Sequence, residues 1–516
     1  MGRTRVLLRW CVPDLALATA CVTLFYCLFL FQGYQQLFRD ADAGWHIRTG
    51  EAILSTGSLP RTDPYSFTRG GQPWFAWEWL SDTAMGAIHR AAGLKGVAFL
   101  YAVAIAAGAW LWFRLHWALD GNFLLACSMA PLLLSTCNIH WLARPHVLSW
   151  IFLLLTVFPY DRPPGLSSFA KRDSGFGLLL VAAGTVLWAN VHASFFMAPV
   201  IFLILALDGA VGRAPWPPAG HPSEARTALS SAAWRGQGGL PRQGPWYLKA
   251  AAVAALAPLL NPYGPQLYVH VFRYLTDSEL LARIGEFQSF DFHSAGAGQI
   301  LATVVLGMTG GAIALTHRRY AHFVLSVVIT AMALRSARAL PLAALLLLPI
   351  ANASLTEYLR GLPSWRSFVK YGENLRAQDR RVQGLALVPV VAAIAWAFMP
   401  PGAFPAADFP VAAYSHIPPD ARLFAPDKFG GYLIYRSEGR LKVFFDGRSD
   451  LYGAEFLRRY SRLVQARPGW QEYWNSFHFT HALLSPDTPL RGALEQAGWR
   501  PVYQDKTAIL LVFGRT

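Results

Sequence analysis

Arg39 to Phe67, RDADAGWHIRTGEAILSTGSLPRTDPYSF, is a polar stretch that directly follows the first apolar run, so Asp40, Asp42 and His46 lie close to a membrane surface. Asp40 and Asp42 share a face if the segment is extended, and Asp42 and His46 share one if it is helical. Carboxylates and an imidazole so arranged suit work on a cation, a metal or a proton. The same residues admit a structural reading. In it, Asp42 caps a short amphipathic helix through Ile47, Ile53 and Leu54 that stops near Gly57 and Pro60.

Other polar residues interrupt apolar sequence further along. They are HWLARPH (His140, Arg144, His146), WANVHAS (Asn190, His192), NPYG from Asn261 to Gly264, EFQSFDF (Glu286, Asp291) and RSAR (Arg335, Arg338). Each has a plain explanation. Arg144 can snorkel to the interface, Asn190 and His192 can satisfy backbone groups where helices meet, and NPYG is a turn signal. Arg335 and Arg338 can anchor to lipid headgroups. Taken together they carry more, because charged groups at membrane depth are costly and usually face a cavity or a partner. Carboxylates on one wall and arginines on another would suit a substrate with an anionic leaving group and a neutral hydroxyl acceptor. Arginine grips phosphate with a planar fork, and an aspartate can take the hydroxyl proton.

The composition describes what must position these groups. The chain is 516 residues long, 54% hydrophobic and 15% charged, with a mean hydropathy of +0.30. That is a polytopic membrane protein with some soluble mass. The net charge of +15 does not imply nucleic-acid binding, because the basic residues fall in short loops between apolar runs, as the positive-inside rule predicts. The five cysteines lie in or beside apolar runs of the first third, with no CxxC pair, which predicts neither a disulfide framework nor a zinc site. The basic start followed by an apolar run reads as an uncleaved signal-anchor.

About eleven transmembrane helices are predicted, centred on Leu15–Gln32, Val97–Trp117, Phe123–Cys137, Val147–Pro159, Phe176–Ala189, Ser194–Leu207, Tyr247–Leu260, Ile300–Thr316, Tyr320–Ala333, Leu340–Ala353 and Val382–Met399. With the N-terminus cytoplasmic, the basic clusters around Arg3, Arg162, Arg213, Arg318 and Arg366 take one side, and the polar motifs take the other. Gly212–Gly244 reads as a flexible cytoplasmic connector. The division is a transmembrane domain, 1–400, with a large first outer loop, 34–96, and an extracytoplasmic α/β domain, 401–516. Within the latter, Gly430–Tyr435, Leu441–Asp446, His481–Ser485 and Ala508–Phe513 read as strands, and Glu455–Val464 and Leu490–Ala497 as helices.

The pattern Asp42, Trp45, His46, Gly50, Glu51, then Leu59, Pro60, Asp63, Pro64, Tyr65, Ser66, Phe67, Thr68, resembles the GT-C superfamily of multi-spanning glycosyltransferases, and uncharacterised bacterial members in particular. The pieces RPH, WANVH, NPYG and GGYLIYR…KVFFDGRSDLYG are similar to that group as well, so the resemblance runs along nearly the whole chain. It implies inverting transfer of a sugar from a polyprenyl-phosphate donor to an envelope glycan, lipid or protein acceptor, on the outer face of a bacterial cytoplasmic membrane. It also implies that an acid of the first outer loop, here Asp42 or Asp40, is the base or a metal ligand. His46, Arg144, His146, Asn190, His192, Glu286, Arg335 and Arg338 are then the expected substrate-binding residues. Many members carry adjacent acids where this chain has an alanine between two aspartates, which leaves open whether a divalent cation, Mg or Mn, takes part. Trp45, Trp74, Trp77 and Trp79 either line the lipid entrance and stack on a sugar or form an interfacial aromatic belt. Asp446, Arg448 and Asp450 either contact the acceptor or fix a turn. Two other classes stay in view. A transporter or flippase would spread polar groups through the midplane, and a scaffold would use the membrane part only to present its outer domain.

Overall fold

The computed structural model describes residues 9–158, 175–210 and 243–514. Arg3, Arg162, Arg213 and most of the Gly212–Gly244 connector lie outside the described residues. The chain is mostly helical, with a small four-stranded sheet near its C-terminus. Each of the eleven predicted apolar runs coincides largely with helix. Among the described residues, four helices are long and apolar enough to cross a membrane: Arg9–Phe29, Trp79–Ala118, Ala297–Thr316 and Ala337–Gly361. Others, such as Pro145–Val157 and Tyr320–Arg335, are apolar but shorter.

Local sequence sets the helix ends. The Asp14 carboxylate accepts from the Leu17 N–H at 2.8 Å and starts Leu15–Phe29. Pro145 occupies the first turn of Pro145–Val157, where its missing N–H costs nothing. The long helix Trp79–Ala118 bends at Gly93, whose φ of 62° is left-handed.

Within 34–96, the first loop, a helix Asp42–Thr56 ends on Gly57 at φ 64°. Its packing explains the glycines of the motif. A side chain on Gly50 would collide with the Asp82 carbonyl of the long helix, and one on Gly44 with the Gly431 carbonyl of the C-terminal region. The loop helix is therefore gripped at backbone distance from both sides.

The second grip is helix Asp427–Arg436. The sequence pattern predicts a strand over Gly430–Tyr435. A short apolar run cannot be assigned by periodicity alone, and here Gly430 and Gly431 instead let a helix lie against the Phe445 and Ala41 backbones. Leu441–Asp446 is not a strand of the sheet either. Val443 exchanges backbone hydrogen bonds with Tyr65 (3.0 Å) and Phe67 (3.1 Å), so this segment zips onto the first loop.

The sheet has the order β1 (Leu423–Phe424), β2 (His481–Leu484), β4 (Ile509–Phe513), β3 (Trp499–Gln504); β1 and β2 are parallel and the other pairs antiparallel. Helices Ser449–Val464 and Pro489–Gln496 contain the predicted Glu455–Val464 and nearly all of Leu490–Ala497. A core of Phe424, Phe444, Trp474, Ile509 and Leu511 packs in the C-terminal region. The larger core runs without a break from the apolar helices into Phe404, Phe409, Phe429 and Leu433.

Candidate active site

Residues from most of the polar motifs meet around one cavity. At their centre is Arg144, which caps helix Pro145–Val157. Its Nη1 donates to Asp40 Oδ2 at 2.8 Å and Glu286 Oε1 at 2.6 Å, and its Nη2 lies 2.8 Å from Asp42 Oδ2. A residue more than a hundred positions from one partner thus meets three carboxylates from two separate loops.

The two aspartates differ in what they do. Asp40 is tied on both oxygens, accepting from the Asp42 N–H at 2.8 Å on one and from Arg144 on the other. This satisfies an orphan donor of the helix start, the work the sequence reading offered to Asp42. Asp42 is itself the first helical residue and lines a cavity. Burial pushes its carboxyl up to about 7, against the pull of Arg144. His46, one turn on, lines the same cavity, and its Nδ1 is 2.6 Å from Asp82 Oδ1. Burial, with Arg144 and His146 adding to it, holds the His46 imidazole well below its ordinary value, so it is neutral.

Glu286 shows the opposite balance. Its burial raises the pKa, but Arg144 and Arg338 outweigh it and hold the carboxyl below the usual range. Arg338 Nη1 lies 3.3 Å from Glu286 Oε2, and its Nη2 is 3.3 Å from His192 Nε2. Arg335 lines the cavity, is exposed and has no ion-pair partner among the described residues. His146 and His192 line it as well, with their rings 6.4 Å apart.

Asn190 faces elsewhere. Its Oδ1 accepts from the Trp79 indole at 2.6 Å and its Nδ2 donates to the Val186 carbonyl at 2.8 Å, outside this cavity. Trp45, Trp74 and Trp77 are on the cavity wall, and Trp77 stacks on His270 at 4.2 Å.

Glu78 escaped the sequence reading. It lies between His192 Nε2 at 3.4 Å and His46 Nε2 at 3.8 Å, and burial raises its carboxyl to about 7 against Arg338 and Arg144. The signal was present in PWFAWEWL, where an acid stands directly before an apolar span.

The C-terminal region closes one side. Gly447 lies so near Asp42 that any side chain there would strike the carboxylate. The neighbouring Arg448 is buried, 2.8 Å from Asp63 and 2.7 Å from Asp446, with Trp74 beneath its guanidinium at 4.7 Å. Asp446 and Arg448 therefore fasten the first loop to the C-terminal region, while Asp450 reaches the cavity beside His270 at 4.0 Å.

The cavity has a volume of about 870 Å³. Besides the charged groups it is lined by Trp150, Leu153, Trp188, Phe196, Met197 and Leu342, an apolar wall built by the apolar helices. Among the described residues no three His, Cys, Asp or Glu side chains are placed to ligate a divalent ion, and Asp40, Asp42 and Glu286 surround a guanidinium instead. The described residues do not fit a metal.

No protein-family profile and no curated protein matches the chain. Solved structures do. The apo oligosaccharyltransferase of Archaeoglobus fulgidus matches at 12% identity with a TM-score of 0.53, covering 97% of this chain and 74% of the other. The same organism's AglB, in complex with an inhibitory peptide and a dolichol-phosphate, gives 12% identity and 0.50 over the same shares. A form tethered to an acceptor peptide gives 14% identity and 0.48, over 91% of this chain and 68% of that one. This chain shares the fold of the archaeal oligosaccharyltransferase along nearly its whole length.

Proposed function

We propose that the protein is a GT-C-type membrane glycosyltransferase that moves a sugar from a polyprenyl-phosphate donor to an acceptor hydroxyl. The observation that carries this reading is the joined cavity, charged at one end and walled by apolar membrane helices at the other. A lipid-linked phosphosugar has those two halves. The prenyl chain lies along Trp150, Leu153 and Met197, and the phosphate meets Arg335 and Arg338. The fold likeness supports the reading, since the archaeal protein binds a dolichol-phosphate.

In the reaction, the acceptor oxygen attacks the anomeric carbon while the bond from that carbon to the phosphate oxygen breaks. The electron pair leaves on the polyprenyl phosphate, and the hydroxyl proton passes to Asp42. A single displacement inverts the anomeric centre. Asp42 is chosen over Asp40 because it faces the cavity. On the same reading the site opens to the outer face of a bacterial cytoplasmic membrane, the N-terminus is cytoplasmic, and 401–516 forms the outer part of an enzyme whose transmembrane part is 1–400. The acceptor is an envelope glycan, lipid or protein.

The test is transfer of radiolabelled sugar from a polyprenyl-phosphate donor by the purified protein in liposomes. The reading expects transfer by wild type and a loss of about 10²–10⁴-fold in Asp42→Asn, the span of a general base. Equal rates in the two proteins would overturn it.

A further inference from the structure

We propose that Arg144 is a built-in cation that stands where three acids would otherwise assemble a divalent metal site, so that the protein works without a metal ion. The inference rests on the glycosyltransferase reading for its consequence, but its structural half stands alone. Asp40, Asp42 and Glu286 come from two loops far apart in sequence and meet only at one guanidinium, at 2.8, 2.8 and 2.6 Å. Three carboxylates in one largely buried patch repel one another, and the patch needs a positive charge to exist. A divalent ion of the Mg type would draw oxygens to about 2.0–2.1 Å in near-octahedral array. Here the oxygens are spread around a flat fork, at hydrogen-bond distance from two nitrogens.

The fork is fixed in place. Arg144 sits at the start of a helix, and the Ala143 N–H next to it donates to the Leu37 carbonyl at 2.7 Å. A guanidinium stays charged at any working pH and cannot be removed by a chelator.

The substitution has a chemical consequence. A carboxylate bound to a divalent ion is held ionised and is a weak proton acceptor. One facing a single charge, shared with two other acids, remains able to take a proton. Asp42 Oδ2 faces Arg144, while Oδ1 lies towards Gly447. Arg144 thus orients the base without quenching it, and acts as a positioning residue.

Electron paramagnetic resonance of Mn²⁺ added to the purified full-length protein tests this without any need for activity. The wild type is expected to leave the free-ion signal undiminished. Stoichiometric Mn²⁺ binding that Asp42→Asn abolishes would overturn the proposal. In the transfer assay, rates in excess EDTA are expected to stay within about twofold of those in Mg²⁺ or Mn²⁺; loss in chelator with recovery on adding either ion would overturn it. Arg144→Lys keeps the charge but loses the fork. It is expected to remain folded with a modest fall in melting temperature while transfer drops about tenfold or more, and unchanged transfer would count against the positioning role. If no preparation transfers sugar under any condition, the function reading fails and the Mn²⁺ signal still decides the cation.

Discussion

Gly447→Ala isolates the contact between the C-terminal region and the loop carboxylate. The backbone tolerates alanine, because Gly447 does not have a positive φ. The new methyl would lie 2.8 Å from Asp42 Cγ and 3.0 Å from Oδ2, with Oδ1 nearer still. Non-bonded carbons settle at about 3.5–4.0 Å, so the carboxyl group must retreat by about 1 Å. That retreat breaks the 2.8 Å contact with Arg144. A reacting group misplaced by about 1 Å costs roughly 100-fold in rate, while overpacking costs about 1–3 kcal/mol of stability. The assay is the initial rate of labelled sugar transfer in liposomes, with a thermal melt on the same preparation. A large loss of rate with a modest fall in melting temperature is expected. Gly492→Ala serves as the control, since a methyl there meets open space on helix Pro489–Gln496. Transfer by Gly447→Ala at the wild-type rate would refute the claim that Asp42 must sit where it does.

Other consequences are as direct. Asp42 must be ionised to accept a proton and titrates at about 7, so transfer falls as pH drops through 7. Glu78 titrates in the same range, and a pH–rate profile of Glu78→Gln that keeps the acid limb assigns the limb to Asp42. The sign for stability is reversed. Between about 4 and 7 the folded protein holds a proton on Asp42 that the unfolded chain has lost, so this group's contribution falls as pH rises through that window. Melts of Asp42→Asn across that window should show a weaker pH dependence. Arg448→Met leaves Asp63 and Asp446 buried without their cation, which should cost about 3–5 kcal/mol and loosen the first loop in limited proteolysis. Arg335→Ala should raise KM for the lipid-linked donor about tenfold with little change in kcat.

The apolar runs were plain in the sequence because a membrane core leaves long hydrophobic segments that few other folds need. The polar motifs were plain for the converse reason, as interruptions. Their pairing was not. Nothing in the spacing of Asp40, Asp42, Arg144 and Glu286 says that one guanidinium meets all three acids, because that depends on how distant helix ends are arranged. The C-terminal region was legible where strands and helices follow their own periodicity, as at His481–Leu484 and over Glu455–Val464 of the helix Ser449–Val464. It misled where contacts with the first loop decided the conformation. Gly430 and Gly431 read as strand residues yet serve a helix pressed on the loop, and Val443 pairs with that loop rather than with the sheet. Glu78 was hidden by the tryptophans around it, although an acid beside a span is a signal in its own right.

Mass spectrometry of cell-envelope glycans addresses the central claim most directly, comparing cells that carry the wild-type gene with cells carrying only the Asp42→Asn form at equal membrane abundance. The account predicts that a glycan, lipid or protein in the wild-type envelope is heavier by one sugar unit than in the variant. Identical envelopes, in a strain where deleting the gene does change them, would contradict it.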